Sequence, residues 1–173
     1  MMKTRCTRLC WFILLLLVVS ACCATAQKEF GIYLLRGEMP TVQFQASDLD
    51  ALELQDEPII GTADIVSYSQ ATHEMELTAK AYERVQQLFT LPVDVDGLPF
   101  VVRVGRERIY GGAFWTPASS LIFEGVIIMQ PFATDRHTVA LSLGYPAPEA
   151  FSGTDPRSDA RILESLEKSG KLK

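Results

Sequence analysis

Residues 65–89 read IVSYSQATHEMELTAKAYERVQQLF, and the period of their apolar positions changes once. Ile65 to Ser69 has the β-branched and aromatic content of a strand, Gln70 to Thr72 reads as a turn, and Glu74-Met75-Glu76-Leu77 alternates with period two. His73 then lies at a turn or a strand edge. After Leu77 the spacing lengthens: Ala81, Tyr82, Val85, Leu88 and Phe89 recur every three or four residues, with Thr78 placed to cap the helix they describe. The stretch therefore predicts strand, turn, strand and a helix of about three turns with one apolar face.

His73 and Glu74 open like a zinc-binding H-E-x-x-H helix, whose two histidines stand four residues apart on one face. The position four beyond His73 is Leu77, and the segment reads as strand, so the motif fails. The other histidine, His137, has no ligand-spaced partner. The four cysteines are Cys6, Cys10, Cys22 and Cys23, all before the folded region. No metal site, no cofactor and no catalytic residue is expected, and the folded part has neither a disulfide nor a thiol nucleophile.

Outward from this stretch, Phe30 to Leu35 reads as a short strand and Thr41 to Phe44 as a half-buried one. Ala46 to Glu57 reads as loop or as a short helix capped by Ser47 or Asp48. Its five carboxylates lack calcium-loop spacing and read as a solvated face. Pro92 and Pro99 bracket a loop. Phe100 to Val104, the turn Gly105 to Arg108, and Ile109 to Trp115 predict a hairpin with Phe100, Val102 and Val104 on one face. Gly111-Gly112 implies a bulge or a close approach by a neighbour. Val126 to Met129 and Val139 to Leu143 are further strands. A C-terminal helix is expected to start at Asp155 or Ser158, with a narrow stripe of Ile162, Leu163 and Leu166 that packs loosely or against a partner, a Glu164/Lys168 pair, and Gly170 past its end.

At 173 residues and 48% hydrophobic content the chain suits a single domain. The expected class is α+β: one small domain, a mostly antiparallel sheet, one central helix and a C-terminal helix. The expected division is 1–21 signal peptide, 22–28 lipidated N-terminus and short tether, 29–150 α+β domain, and 151–173 linker and C-terminal helix. Lys3, Arg5 and Arg8 precede the uncharged run Trp11 to Val19, followed by small residues, which is the order of an export signal. Val19-Ser20-Ala21-Cys22 resembles the bacterial lipobox, which implies cleavage before Cys22 and acyl chains on its sulfur. Two other readings stay open. Ala24-Thr25-Ala26 offers an ordinary cut before Gln27, and Leu9 to Ala26 approaches the length of a membrane span.

Residues 22–173 carry 13 Lys+Arg against 21 Asp+Glu, a net charge of −8. That balance disfavours nucleic acid and anionic headgroups as partners, so membrane attachment would come from acyl chains. The expected partners are the membrane, through the lipid anchor, and another envelope protein. Within an acidic chain, Arg103, Arg106, Arg108, Tyr110 and Trp115 form a candidate binding surface, since Arg, Tyr and Trp are frequent anchors. The competing reading is a solvated hairpin tip with Trp115 in the core.

The segments EPIIGTADIVSY, MELTAKAYERVQQL, GLPFVVRVGRERIY and GAFWTPASS, within residues 57–115, resemble the head portion of the first periplasmic domain of the SecD/SecF protein-export membrane proteins. Pro58, Asp64, Ile65, Leu77, Thr78 and the hairpin Phe100 to Tyr110 occupy the matching places. The resemblance covers about a third of the chain and implies an α+β domain on the outer side of a membrane, in contact with polypeptide. The membrane spans of those proteins have no counterpart here. Three functions are thus in view: a non-enzymatic lipoprotein binding module, an accessory or inhibitor module beside a membrane complex, and an envelope hydrolase using Glu74, Glu76 or Asp135 with His137.

Overall fold

The first and last strands of the sheet are joined by three residues of chain, and that link governs the architecture. The computed structural model describes residues 28–90, 93–132 and 136–173. Eight strands form one sheet: β1 (Phe30–Leu34), β2 (Ile60–Gly61), β3 (Ile65–Ser69), β4 (Glu74–Leu77), β5 (Leu98–Val104), β6 (Glu107–Trp115), β7 (Phe123–Met129) and β8 (Thr138–Tyr145). Their order is β2-β1-β5-β6-β7-β8-β4-β3, antiparallel throughout except β6 beside β7. The edge strands β2 and β3 are consecutive in sequence, separated by the 3-10 turn Thr62–Asp64. A flat sheet of eight strands at nearly 5 Å spacing could not be spanned by three residues, so the sheet must curl until its edges meet. The class is α+β, a single domain with a mostly antiparallel sheet.

The curl encloses one main core. Phe100, Val102, Val104, Tyr110 and Phe114 point inward from the central hairpin, and Ala81, Tyr82 and Val85 of helix α2 (Ala79–Gln86) fill the concavity. Thr78 caps α2 by accepting the Ala81 N–H, and the 3-10 turn Gln87–Phe89 extends it. The C-terminal helix α3 (Ala160–Lys168) buries Ile162 and Leu166 in the same core, to 1% and 0% exposure. Its stripe is thus seated on the domain's own sheet, correcting the expectation of loose packing. Its cap is Asp159, which accepts the Arg161 N–H, in place of the expected Asp155 or Ser158. The helix ends in a Schellman arrangement: Gly170 has φ +66°, and the Lys171 N–H donates to the Leu166 carbonyl.

Two smaller clusters cover the convex face. Helix α1 (Thr41–Gln45) and the 3-10 turn Leu49–Ala51 set Phe44 over Val101, with Leu52 and Leu54 beside them. The expected strand at Thr41 to Phe44 is therefore a helical turn. Thr41 and Phe44 are its two buried residues, three apart as one helix face requires. Further along, Ala113, Trp115, Phe123 and Ile127 pack together. The paired glycines report close approach: a Cβ on Gly111 would meet the Phe44 ring at 2.5 Å, and one on Gly112 would overlap Phe100 and the Val126 carbonyl. The bulge expected there lies between Val102 and Arg103, where β6 carries the extra residue Ile109.

Both sheet edges are blunted. At β2, Asp64 Oδ2 accepts the Gly61 N–H (2.8 Å) while Arg84 of α2 donates to the Ile59 carbonyl (2.9 and 3.0 Å) and to Asp64 Oδ2 (2.6 Å). At β3, the Tyr68 N–H donates to Lys171 O and Tyr68 O accepts from the Lys173 N–H, so the C-terminal residues cover that edge. Arg84→Met removes three donations at a part-buried seam and is expected to cost about 2–3 kcal/mol. Arg36→Met removes an exposed pair with Asp56 and is expected to change stability by about 0.5 kcal/mol or less. Urea unfolding compares the two, and equal losses would show that the seam contributes no more than a surface pair.

Candidate functional site

The five hairpin residues picked out in the sequence do not share a surface. Tyr110 points inward and is 6% exposed; Trp115 points to the convex side, 1% exposed, with ring centroids 5.1 Å from Phe123 and 5.7 Å from Tyr145. Arg103 lays its guanidinium 4.0 Å from the centroid of the Tyr33 ring, and Arg108 donates to the Leu49 carbonyl. Only Arg106, in the two-residue turn Gly105-Arg106, is fully exposed. The aromatic edge of the expected patch is absent because β6 is covered on both faces, where an uncovered strand would leave every second residue to solvent.

A different group of polar residues converges at the β3–β4 corner. His73 closes that turn with φ +53°, a left-handed conformation unusual for a residue with a Cβ. Its Nδ1 is 2.8 Å from the hydroxyl of Tyr68, five residues earlier and 1% exposed. Its carbonyl accepts the Leu141 N–H, and the Leu141 carbonyl in turn accepts from Arg157 Nη1 (2.7 Å). Arg157 also grips Asp155 through Nε and Nη2, at 2.9 and 2.7 Å. One residue of β8, Leu141, therefore links the histidine backbone to a charged fork from a segment 84 residues downstream.

The electrostatics follow from burial. Desolvation pushes the Tyr68 phenol up to about 12 and Tyr110 further still. Desolvation, followed by the Arg157 charge, lowers His73 below its ordinary value, whereas Asp155 is lowered by the hydrogen bonds from Arg157. The neutral imidazole is favoured, and its bare Nδ1 can accept the Tyr68 proton. Tyr110 senses Tyr68, Arg157 and Asp155 through their charges, yet its buried hydroxyl makes no hydrogen bond. The group holds protons in place. It does not present a nucleophile beside a base, since the ring nitrogen of His73 meets a phenol and the Asp155 carboxylate meets an arginine.

The described residues otherwise singled out for acid/base work lie along neighbouring strands but engage separate partners. Glu74 accepts from Thr72, Glu76 from Ser67, and the His137 ring lies 5.2 Å from the Tyr82 ring. Asp135 and Cys22 fall outside the described residues, as do the proposed cleavage sites. Among the described residues no three His, Cys, Asp or Glu side chains gather as metal ligands, and no helix is long and apolar enough to cross a membrane. Ser165 and Lys168, spaced like an S-x-x-K pair, point to separate partners, the Lys28 carbonyl and Glu164.

The open concavity lies at the seam. A groove of about 510 Å³ runs between the start of β1 and the 3-10 turn, with Glu29, Asp56, Glu57 and Asp64 on its walls, Arg84 at one side, and Tyr33 and Pro58 as apolar flanks. Arg84 is engaged by Ile59 and Asp64 and Asp56 by Arg36, so Glu29 and Glu57 give the opening its sign. Sequence reasoning missed this groove, although Asp56 and Glu57 belong to the acidic run noted there. Comparison with protein-family models, with curated proteins and with solved structures finds no match to this chain.

Two outcomes test the corner. Tyr110→Phe deletes a buried hydroxyl that bonds to nothing and is expected to stabilise by about 1 kcal/mol, whereas Tyr68→Phe is expected to cost about 1 kcal/mol. Thermal unfolding separates them, and a loss in Tyr110→Phe would mean that its hydroxyl is satisfied in solution. For His73 the folded state holds the proton less tightly than the unfolded chain. Stability is therefore full above the unfolded value near 6.5 and falls as pH drops through it toward the lowered folded value. His73→Asn, which tolerates the left-handed backbone, should flatten the pH 5–7.5 stability profile about the unfolded value near 6.5.

Proposed function

We propose that the chain is an exported lipoprotein, held on the outer side of a bacterial membrane by acyl chains on Cys22, whose α+β domain is a non-enzymatic binding module for a protein or another envelope component. The observation that carries this reading is the sequence Val19-Ser20-Ala21-Cys22 at the end of an uncharged run behind three basic residues. Two or more acyl chains give stable anchoring that one does not. For the binding role, support comes from the seam groove, where Glu29, Asp56 and Glu57 are exposed and Asp56 pairs with Arg36 at the surface. The interior polar groups at His73 bond to one another.

A second reading, an accessory or inhibitor module beside a membrane complex, draws on the order of β3, β4, α2 and the β5–β6 hairpin. That is the order on which the likeness to the SecD head rests. It keeps the same anchor and differs only in the partner.

The test is direct. Intact mass of the mature protein should show an acylated N-terminus that Cys22→Ala abolishes; an unmodified N-terminal Gln27 in the wild type would overturn the lipoprotein reading. A pull-down from detergent-solubilised membranes should then lose its specific partner with Glu57→Lys, which reverses an exposed charge on the groove wall. An unchanged partner list would remove the groove from the function.

A further inference from the structure

The base of the tether is fastened to the fold at one end of the curled sheet. The Lys28 carbonyl accepts the hydroxyl of Ser165, which is 4% exposed on α3. The next carbonyl, of Glu29, accepts the Gly105 N–H at the tip of the β5–β6 hairpin. The Lys28 ammonium reaches Glu107, and Arg161 of α3 reaches the same carboxylate at 3.4 Å. Chain exit, hairpin tip and the outer side of α3 are thereby held together. The start of β5, the loop 93–97 and α1 lie at the opposite end, because β5 runs antiparallel to β1 with Phe30 opposite Val104, and Thr41 of α1 donates to the Asp96 carbonyl.

The two ends differ in charge. Around the tether Lys28, Arg106, Arg161 and Lys168 stand against Glu29, Glu107, Asp159, Glu164 and Glu167, a local balance of −1, close to neutral. Most of the −8 of residues 22–173 therefore belongs to other faces, among them the acidic segment 46–57 and Asp94 and Asp96 in the far loop. Charges more than about 8 Å apart are largely screened at physiological ionic strength. An anionic surface beside the tether thus meets a nearly neutral face and feels little of the acid at the far end, roughly 20 Å away along a seven-residue strand.

We infer that the hairpin tip at Arg106 and the outer side of α3 form the bilayer-facing surface of the anchored domain, in contact with lipid headgroups, and that the end carrying Val42 and loop 93–97 points away from the membrane. The inference rests on the acylated-anchor reading. Cys23 to Lys28 is six residues and spans at most roughly 20 Å. With the Lys28 carbonyl clamped to α3, a tether of that length brings this end closest to the bilayer. Arg106 is an exposed cation at the hairpin tip, and the exposed charges along α3 are paired, Arg161 with Asp159 and Lys168 with Glu164. The seam groove, lined by Glu29 near the tether and Asp56 and Glu57 above it, then opens sideways along the membrane surface.

The experiment uses the full acylated chain with Cys23→Ser, carrying one environment-sensitive fluorophore on Arg106→Cys, Glu164→Cys or Val42→Cys. Each protein is placed in vesicles of phosphatidylcholine and phosphatidylglycerol that contain headgroup-attached quencher lipid. The expected result is quenching at 106 and 164 and loss of that quenching at 42. Acylated protein that floats with the vesicles but is quenched equally at both ends, or more at 42, would overturn the orientation while leaving the anchor intact. Protein whose mass shows no acyl group, and which does not float, would overturn both.

Discussion

The Asp64–Arg84 pair holds the point on which the rest of the structure depends. Three residues, Thr62–Asp64, carry the chain from one edge strand to the other, so the sheet is closed on itself before any core residue is considered. Asp64 serves this link three ways: its carboxylate accepts the Gly61 N–H, its carbonyl accepts the Thr78 N–H at the start of α2, and its second role for Oδ2 is to receive Arg84. Arg84 then returns from α2 to the Ile59 carbonyl beside β2. Helix start, sheet closure and edge protection use the same two residues. The pair is about one-quarter to one-third exposed, which limits its desolvation cost while keeping its hydrogen bonds within the fold.

Closure also explains which polar groups are left for recognition. A curled sheet has an inside that must be filled and an outside that is only partly covered. The inside takes α2 and α3, whose Tyr82 and Ser165 hydroxyls bond backbone carbonyls, and gathers a group of polar atoms at the His73 corner. There, Tyr68, Leu141 and Arg157 use one another's hydrogen-bonding capacity, and Tyr110 is left over. On the outside, Glu29, Asp56 and Glu57 remain directed at solvent around a concavity. The groove keeps exposed carboxylates, whereas the corner's donors and acceptors are engaged with one another.

Local elements were legible because their periods are clean. The strands around residues 65–77, the Thr78-capped helix and the 98–115 hairpin all follow from spacing, and Gly170 marked the helix end by its need for positive φ. Four residues such as Thr41 to Phe44 fit period two and a single helical turn equally well, so α1 was misread. The hairpin misled in a different way. Tyr110 and Trp115, grouped in one surface, stand five residues apart and so point to opposite faces of the strand, and α1, Phe123 and Tyr145, from distant segments, cover the face that alternation alone leaves to solvent. The same distance hid the candidate sites. Tyr68 lies five residues from His73, within reach of a local reading, whereas Arg157 and Asp155 reach the corner only through the placement of β8, and the groove exists only because β1 and the Thr62–Asp64 turn meet.

The antiparallel order fixes a polarity that a small domain on a short tether can use. Phe30 opposite Val104 and Leu98 opposite Phe114 put the chain exit and the β5–β6 tip at one end, and the 93–97 loop at the other. At the exit end, ion pairs among α3, Lys28 and Glu107 neutralise the surface, and Ser165 ties the exit to a helix whose apolar stripe is buried in the core. Rotating the exit relative to the domain would require breaking the Ser165 and Gly105 bonds together. At the far end, Val42 and Val95 are 76% and 45% exposed beside the Asp94 and Asp96 carboxylates. The seam groove opens beside Glu29, next to the exit end. A fold closed by a three-residue link thus sets a charge-paired end apart from an acidic side, because the antiparallel register holds the two at opposite ends of the same strands.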